Sequence, residues 1–452
     1  MSNKIMLSAI LFILFVLFAS QSSNAYDPNW KENQEEMFNQ IGLKPGDIIN
    51  TENWQKVKSL VPDDMLDWVK SGKVIMNIGK FSYDASNDAE WGEYSLKHNK
   101  EKYSLNKSGD IIETATGKFP KWVYGHPYPD IDYKNDPNAG IKTMHNRDLA
   151  FSRTGRIKNP FTVEWVGNKG FERVISIDYF GYHLWGTKQT RNDENKKNKL
   201  FMEVTLVVAP YDVAGTAQLT YRFIDGREDN VYVYIPAIRR TKRMSGANRS
   251  DPFMGSDFTI DDGNGWHGHT SHMQWRFIEE KIGLMCIAKY SANDYTHMAQ
   301  MPNGSWKATS DVEGIKSGWQ TKGCTQAPWS PVTCIWVPRK FYILEAIPED
   351  PYYNMGKMEF WLDKKSLWGQ YKLMWDVAGE YWKTGSFMVQ FMKWDKITQS
   401  SNMHLFYDVK TSHSTILRSS GKNIFGRDLF YEYNLPENKK QFSVSRLATW
   451  TK

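Results

Sequence analysis

The chain has 452 residues and a formal net charge of +6, with 57 Lys and Arg residues interleaved among 51 Asp and Glu residues. A charge this small, without long basic runs, excludes an extended nucleic-acid-binding surface. Aromatic residues are abundant, with 19 Trp, 23 Tyr and 23 Phe. In a soluble protein this composition favours broad half-buried sheets or an apolar cavity.

The first 25 residues have the pattern of a cleavable secretory signal peptide. Lys4 supplies a positive start, residues 5–19 are almost entirely apolar, and Ser23-Asn24-Ala25 offers a small-x-small cleavage site. The apolar run is shorter than the roughly 20 residues of a spanning helix, and an uncleaved membrane anchor is the alternative. No Cys lies directly after the cleavage site, which argues against an N-terminal lipid anchor. We expect an exported, soluble protein that begins near Tyr26.

Residues 26–160 are predicted to be helical and loop-rich and to pack on a sheet formed by residues 161–452, in one composite domain. The predicted helices are Glu52–Leu60 capped by Thr51, Met65–Lys70 capped by Asp63 or Asp64 and closed by Gly72, and His145–Ser152. Residues 84–140 are polar and lack a sustained period, which predicts a long ordered excursion such as a lid or an arm.

From about Phe161 the hydrophobic period changes to two, which is typical of half-buried strands. The alternating segments are Glu172–Trp185, Leu200–Val208, Thr216–Ile224, Val231–Ile235, Met273–Ile278, Leu284–Ala288, Trp336–Ala346, Lys357–Asp363, Leu367–Asp376 and Tyr381–Lys393. Short turns join several of them, so we expect a large antiparallel sheet that curls, as wide twisted sheets do. The predicted fold class is mainly β (α+β).

Three cysteines follow the signal segment. Export permits a disulfide, and Cys324 with Cys334 would close a short loop that contains Pro328 and Pro331. Cys286 lies in an apolar run, where a buried free thiol is the simpler interpretation. We therefore predict a Cys324–Cys334 disulfide and a structural Cys286.

One segment departs from the regular alternation, because the strand that ends at Ile235 runs into a cationic stretch and then into a loop with aromatic residues. The candidate ligand- or partner-binding residues are Arg239, Arg240, Lys242, Arg243, Asn248, Arg249, Asp251, Phe253, Met254, Ser256, Asp257 and Phe258. Cationic side chains could pair with a phosphate or carboxylate, and Phe and Met offer adaptable apolar contact. The alternative is that the charges are solvated or paired with nearby Asp residues while the aromatics lie in the core.

The run from Tyr234 to Phe258, with Tyr-Ile-Pro-Ala-Ile-Arg-Arg and Ser-Gly-Ala-Asn-Arg-Ser-Asp-Pro-Phe-Met-Gly-Ser-Asp-Phe, resembles the outer-membrane lipoprotein-sorting-like family of bacteria, domain of unknown function 1329. The similarity extends from Lys44-Pro-Gly-Asp-Ile-Ile through residues 338–351 to the Trp-Asp-Val-Ala-Gly-Glu-Tyr-Trp turn at 375–382. It therefore covers most of the chain after the signal segment. More distantly, the chain resembles the LolA-like periplasmic carriers.

The resemblance implies a half-open antiparallel barrel around an apolar cavity, with helices as a lid. It also implies a periplasmic location and hydrophobic cargo, with an RND-type inner-membrane exporter or an outer-membrane acceptor as partner. The chain is far longer than the minimal carriers, so residues 84–140 and the Cys324–Cys334 region have no assigned counterpart.

Other chemistry has weaker support. His267, His269 and His272 are the best metal candidates, but their spacing in a Gly-flanked loop is also typical of unligated His, and we predict no metal and no cofactor. Residues 261–265 predict a tight turn rather than a calcium loop, because the ligand register is wrong. No nucleophile elbow, P-loop or dinucleotide motif is present, and we predict no catalytic residues. The evenly spaced Trp361, Trp368, Trp375 and Trp382 could stack on sugars, but core packing explains them without a ligand.

These patterns predict a periplasmic carrier or chaperone for a hydrophobic or amphiphilic compound, and no enzyme. The alternatives are a non-enzymatic accessory or scaffold of an envelope transport complex, and a secreted hydrolase with a dispersed active site.

Overall fold

The computed structural model describes residues 33–81, 83, 88–246, 249–288, 296–308, 316–322, 327–328, 333–394, 397–436 and 439–451. The predicted signal segment, residues 1–25, lies outside these residues and stays a prediction. The division into residues 26–160 and 161–452 also stays a prediction.

The helices within the described residues are short and lie before the large sheet in the chain. They are α1 (Gln34–Ile41), α2 (Asp63–Lys70), α3 (Ala89–His98) and α4 (Ala139–Ser152). In α2, Met65, Leu66 and Val69 are buried at helical spacing. Asp63 and Lys70 lie in its first and last turns, where their charges complement the helix dipole. None of the described helices combines the length and the apolar character that crossing a membrane requires.

The described strands account for most of the regular structure. They are β1 (Ile48–Ile49), β2 (Met76–Asn77), β3 (Tyr103–Leu105), β4 (Ile111–Glu113), β5 (Arg156–Gly167), β6 (Gly170–His183), β7 (Lys199–Ala209), β8 (Ala217–Phe223), β9 (Asn230–Ile235), β10 (Arg240–Met244), β11 (Met273–Ala288), β12 (Thr296–Gln300), β13 (Trp306–Ala308), β14 (Cys334–Pro348), β15 (Met355–Asp363), β16 (Gly369–Asp376), β17 (Tyr381–Trp394), β18 (Ile397–Asp408), β19 (His413–Arg418) and β20 (Glu432–Tyr433).

Strands β5 to β20 form one 16-stranded sheet in the described part of the chain. Its order is β10-β9-β8-β7-β6-β5-β20-β13-β12-β17-β11-β14-β15-β16, and β18 and β19 bridge β17 back to β5. The pairs are antiparallel except where β17 runs beside β11 and β12 over short stretches. Because β10 ends the order as a free edge, the sheet as a whole is not closed into a barrel. The predicted mainly β fold with a large curved antiparallel sheet is confirmed.

Two large hydrophobic clusters stabilise the curled sheet. In the first, Val69 of α2 is buried in the same cluster as Leu284 of β11 and Phe341 of β14. In the second, Val163 of β5 and Val207 of β7 share a cluster with Phe360 of β15, Met374 of β16 and Phe387 of β17. The curl therefore brings the β5–β7 end of the sheet face to face with the β15–β17 end, as sheet packing with a shared core requires.

Most predicted strands agree with the structure to within about three residues. Met273–Ile278 and Leu284–Ala288, however, belong to the single strand β11, so the predicted break between them is wrong. A β-bulge between Phe277 and Glu279 and a largely exposed middle section of β11 explain the error, because the apolar alternation disappears there without ending the strand.

Sequence analysis missed several strands. In β5 the alternation is interrupted by Pro160, and in β18 the segment that begins at Ile397 is rich in Thr, Ser, Asn and Gln. The cationic stretch, for which no strand was predicted, is the edge strand β10, and it pairs with β9 along its whole length. Edge strands carry charged side chains more readily than central strands do, so their hydrophobic pattern is weak.

The predicted helix over Glu52–Leu60 is wrong, because only Trp54–Val57 forms a short 3₁₀ helix. The Asn53 side chain accepts from the Asn50 backbone N–H and donates to the Ile48 carbonyl, which stabilises turns in place of a helix. The predicted His145–Ser152 helix is the second half of the longer α4.

Residues 84–140 hold more regular structure than the sequence predicts, since 88–138 contain α3 and the β3–β4 hairpin. We call residues 88–138 the lid. Its own hydrophobic cluster joins Trp91 and Ile111 of the lid to Leu149 of α4 and Trp185 behind β6, so the lid packs on the sheet.

Cys286 is buried and has a free thiol, as predicted. Burial raises the pKa of this thiol, and a hydrogen bond with Cys334 of the neighbouring strand raises it further. Cys324 lies outside the described residues, so the Cys324–Cys334 disulfide stays a prediction.

Candidate functional site

A partly open cavity lies on the face of strands β5 to β8 that the curled sheet encloses. We call it the sheet cavity. Its apolar lining comprises Phe161, Phe253, Phe258, Ile260, Leu417 and Tyr431. Phe253, Phe258 and Ile260 belong to the loop 249–272 between β10 and β11, which forms the front wall.

The floor of the sheet cavity is a row of polar side chains that crosses neighbouring strands. Asn159 lies opposite Tyr179, Tyr179 opposite Thr205, and Thr205 opposite Gln218 in the strand register. All four line the cavity. Because directly opposite residues share one face of a sheet, the register alone places this uncharged row along the floor.

Glu203 is the acidic group of the sheet cavity and has two partners. Its Oε2 accepts from the Tyr179 hydroxyl at 2.9 Å and lies 3.0 Å from His267 Nε2. Burial favours a raised pKa for the Glu203 carboxyl, but His267, Arg222 and Arg249 outweigh burial and hold the pKa below its usual range. Burial, followed by the charge of Glu203, raises the pKa of Tyr179 well above its usual value. Glu203 is therefore ionised and Tyr179 is a hydrogen-bond donor.

A buried ion network fastens the front wall to the sheet. The Asp229 carboxylate accepts two hydrogen bonds from Arg222 of β8, at 2.8 and 3.1 Å, and one from Arg249 at 2.6 Å. Arg249 also donates to Asp261 at 2.5 Å. Burial opposes ionisation of Asp229, but Arg222, Arg249 and His269 hold its pKa well below the usual range. The network is therefore charged, and it orders the loop.

A second, partly open cavity lies between the lid, α4 and the sheet, and we call it the lid cavity. Arg147, His183, Trp185 and Trp266 line it, and His267 lines both cavities. The His183 Nε2, Trp185 Nε1 and Trp266 Nε1 atoms are buried and have no hydrogen-bond partner among the residues that the structure describes. Burial lowers the pKa of His183 to about 4, so its imidazole is neutral at pH 7.

The structure divides the predicted binding residues among separate places. Arg239, Arg240, Lys242 and Arg243 are exposed at the free edge of the sheet, away from both cavities. Arg243 donates to the Asn230 side chain at 2.8 Å. This exposed basic group is called the cationic edge below, and it is a surface rather than a cavity wall.

The remaining predicted residues belong mainly to the front wall. Phe253 and Phe258 line the sheet cavity. Arg249 lies in the ion network, and Asp257 is buried against His413 and Thr415, which agrees with the ion-paired alternative for these two residues.

Ser256 is buried and donates to the Phe258 carbonyl, whereas Met254 and Asp251 are exposed. The Met254 carbonyl accepts from Arg173, and Asp251 accepts from Asn354. Asn248 lies outside the described residues.

The three His residues considered for a metal point to different partners. His267 contacts Glu203, His269 contacts Asp229 at 2.9 Å, and His272 Nε2 lies 2.6 Å from the Gly226 carbonyl. Across the described ranges, no three His, Cys, Asp or Glu side chains are grouped as a metal ion requires. Residues 260–265 form 3₁₀ turns, as a tight turn predicts.

Sequence analysis did not identify Asn159, Tyr179, Glu203 or His183. Glu203 had a recognisable pattern, because it is the single charge inside the apolar run from Leu200 to Val208. The polar floor had no such pattern in the sequence, because its residues can be grouped only when the register of four strands is known.

The comparison with solved structures finds similar chains that cover about two thirds of this one. An outer membrane lipoprotein-sorting protein domain, as it is described, from Vibrio parahaemolyticus is 17% identical, with 69% of this chain and 100% of that chain covered and a TM-score of 0.46. A DUF1329 family protein from Desulfovibrio piger is 16% identical with the same coverage and a TM-score of 0.46. A LolA superfamily protein from Nitrosomonas europaea is 11% identical, with 66% and 96% covered and a TM-score of 0.38. None of the curated proteins matches the chain.

The family comparison covers far more of the chain. The model of a family described as protein of unknown function, DUF1329, matches residues 48–448. This range begins at β1 and includes the lid, the whole sheet and both cavities. It also contains the run from Tyr234 to Phe258 that carries the resemblance. The chain therefore belongs to the DUF1329 family.

Proposed function

We propose that the protein is a periplasmic carrier that holds a hydrophobic or amphiphilic compound in the sheet cavity. The observation that supports the proposal is the cavity itself, with aromatic and aliphatic walls and a polar floor. Concave pockets with mostly apolar walls and a few convergent polar groups are typical ligand sites. The signal pattern of residues 1–25 supports export, and the resemblance supports transfer towards the outer membrane or an RND-type exporter.

Burial of apolar surface would drive binding. Each Å² of apolar cargo surface removed from water contributes on the order of 25 cal/mol. Phe253 is half-buried at the front wall and so is an aromatic contact that can be removed without opening the hydrophobic core.

Binding can be measured with the fluorescent probe N-phenyl-1-naphthylamine. We expect the wild-type protein to bind the probe and Phe253→Ala to bind it roughly tenfold more weakly, as the loss of about 1.4 kcal/mol of apolar contact predicts. Phe425→Ala is the matched control, because Phe425 is exposed elsewhere on the surface. Protein purified from its host should also release cargo on organic extraction. A wild-type protein that ignores the probe and yields no extractable cargo would refute the carrier.

The cationic edge is proposed as a docking surface for a partner that carries acidic groups. Its side chains are exposed, and among the described residues no acid pairs with Arg239, Arg240, Lys242 or Arg243. We expect Arg240→Ala with Arg243→Ala to weaken partner binding and leave the melting temperature nearly unchanged. A large loss of stability would show that these side chains are structural.

The alternatives give different results in the same experiments. An accessory of an envelope transport complex would bind no probe but would be retained by a membrane complex. A hydrolase would turn over esters or glycosides and lose that activity on one substitution.

A further inference from the structure

The described lining of the sheet cavity lacks the positive charges that an anionic cargo would require. Among its described lining residues there is no Lys and no Arg. The cations that sequence analysis assigned to a headgroup lie on the cationic edge or, as Arg249, in the ion network. A carboxylate or phosphate in the cavity would therefore lose water without gaining a positive partner from the lining, which is costly.

The floor offers hydrogen-bond acceptors in place of cations. Asn159 Oδ1 is buried and has no hydrogen-bond partner among the described residues. Thr205 and Gln218 continue the same row. A buried amide oxygen left without a donor costs free energy, so a ligand that donates a hydrogen bond there gains more than one that does not.

Glu203 is the charged acceptor next to this row. Its Oε2 already has two partners, since it accepts from the Tyr179 hydroxyl at 2.9 Å and lies 3.0 Å from His267 Nε2. Arg222 and Arg249 are paired with Asp229 and Asp261 in the ion network, so they offer no positive partner to a ligand in the cavity. An anionic ligand would in addition lie near the negative charge of Glu203, whereas a neutral donor avoids that repulsion.

We propose that the sheet cavity selects a neutral apolar alcohol, whose hydroxyl donates to the acceptors of the floor while its hydrocarbon part contacts the aromatic walls. The inference rests on the proposed carrier function and narrows the chemical class of its cargo. Fatty acids and phosphate esters of the same chain length are disfavoured by the absence of lining cations and by the negative charge of Glu203.

A series with one chain length tests the selectivity. The ligands 1-decanol, decanoate and decyl phosphate would compete with N-phenyl-1-naphthylamine for wild-type protein. We expect decanol to compete at a concentration at least tenfold below that of each anionic ligand. Equal or stronger competition by either anionic ligand, or no competition by decanol, overturns the inference while the carrier function stands. If the probe itself does not bind, the carrier function fails and the inference fails with it.

Two variants locate the preference on the floor. Asn159→Leu removes the unpartnered acceptor, and we expect it to weaken decanol competition at least fivefold while the melting temperature stays the same or rises. Glu203→Gln should shrink the difference between decanol and decanoate, whereas Glu228→Gln, an exposed control, should not. If Glu203→Gln fails to fold, Asn159→Leu still decides, because unchanged decanol competition in that variant overturns the inference.

Discussion

Asp229 connects the front wall of the sheet cavity to the strands behind it. It is fully buried and is bonded to Arg222 on one side and to Arg249 on the other. Buried ion pairs add little net stability, but removal of one partner leaves the other charge buried without compensation. The ion pairs of Asp229 therefore add little net stability to the fold, but removal of this carboxylate would destabilise it strongly.

We expect Asp229→Asn to lower the free energy of unfolding by about 3–5 kcal/mol, because two guanidinium groups would lose their shared carboxylate. Urea denaturation followed by far-UV circular dichroism measures the change. Asp251→Asn is the control, since Asp251 is exposed and should change stability by less than about 0.5 kcal/mol. A small effect of Asp229→Asn would mean that water compensates the two Arg side chains.

At the scale of elements, β10 is the strand that forms the exposed edge of the large sheet. Its backbone is paired on one side only, and all five of its residues are exposed. Charged side chains on such an edge oppose pairing with the edge of another molecule. We therefore expect the cationic edge to oppose edge-to-edge association of two copies of the chain, in addition to the docking role proposed above.

We expect Arg240→Val with Lys242→Val to cause self-association, since valine favours strands and the opposing charge is removed. Size-exclusion chromatography with light scattering should show dimers or larger species at a nearly unchanged melting temperature. Lys56→Val with Lys58→Val is the control, because both residues are exposed in a helical turn. Purely monomeric double-variant protein would contradict the role of these charges.

At the scale of the whole molecule, several imidazoles are enclosed in the neutral form. Burial lowers the pKa of His183 and His269 to about 4, and that of His126 and His404 to about 3. Unfolding exposes these groups to water, where their pKa is about 6.5. The unfolded chain therefore binds more protons than the folded protein below that pH.

The resulting stability is complete above pH 6.5 and is lost as the pH falls from 6.5 towards 4. His413 acts in the opposite direction, because its bond with Asp257 raises its pKa, but it is a single, partly exposed group. We expect the melting temperature to fall continuously between pH 7 and pH 4.5, as scanning calorimetry can measure. His183→Asn should flatten this dependence, and a constant melting temperature would show that the imidazoles are hydrated in the folded state.

Sequence patterns predicted the large sheet because apolar alternation identifies strands that bury one face. They failed where another effect controls the strand, as in the polar β18, the Pro160-interrupted β5 and the charged β10. The site was predicted only in part. Phe253 and Phe258 were predicted as binding residues from their place beside the cationic stretch. The polar floor depends on the register between neighbouring strands, and a hydrophobic pattern holds no information on register.

Strong ion pairs hold part of the front wall and only single hydrogen bonds hold the rest. We expect the wall to open where it is held most weakly. Arg249 and His269, near its two ends, bond to Asp229, and its middle is held by the buried pair of Asp262 with Lys372, at 2.6 Å. The side-chain hydrogen bonds to its tip, Phe253–Gly255, come from Trp165 and Arg173. The neutral Trp165 bond contributes about 0.5–1.5 kcal/mol and the bond from the charged Arg173 about 1.5–3 kcal/mol, less than the roughly 3–5 kcal/mol lost when a buried ion pair is broken. We therefore expect a narrow portal to form at the tip before the rest of the wall moves. Hydrogen exchange on cargo release should then change at the tip and leave the amides of β5 to β8 protected.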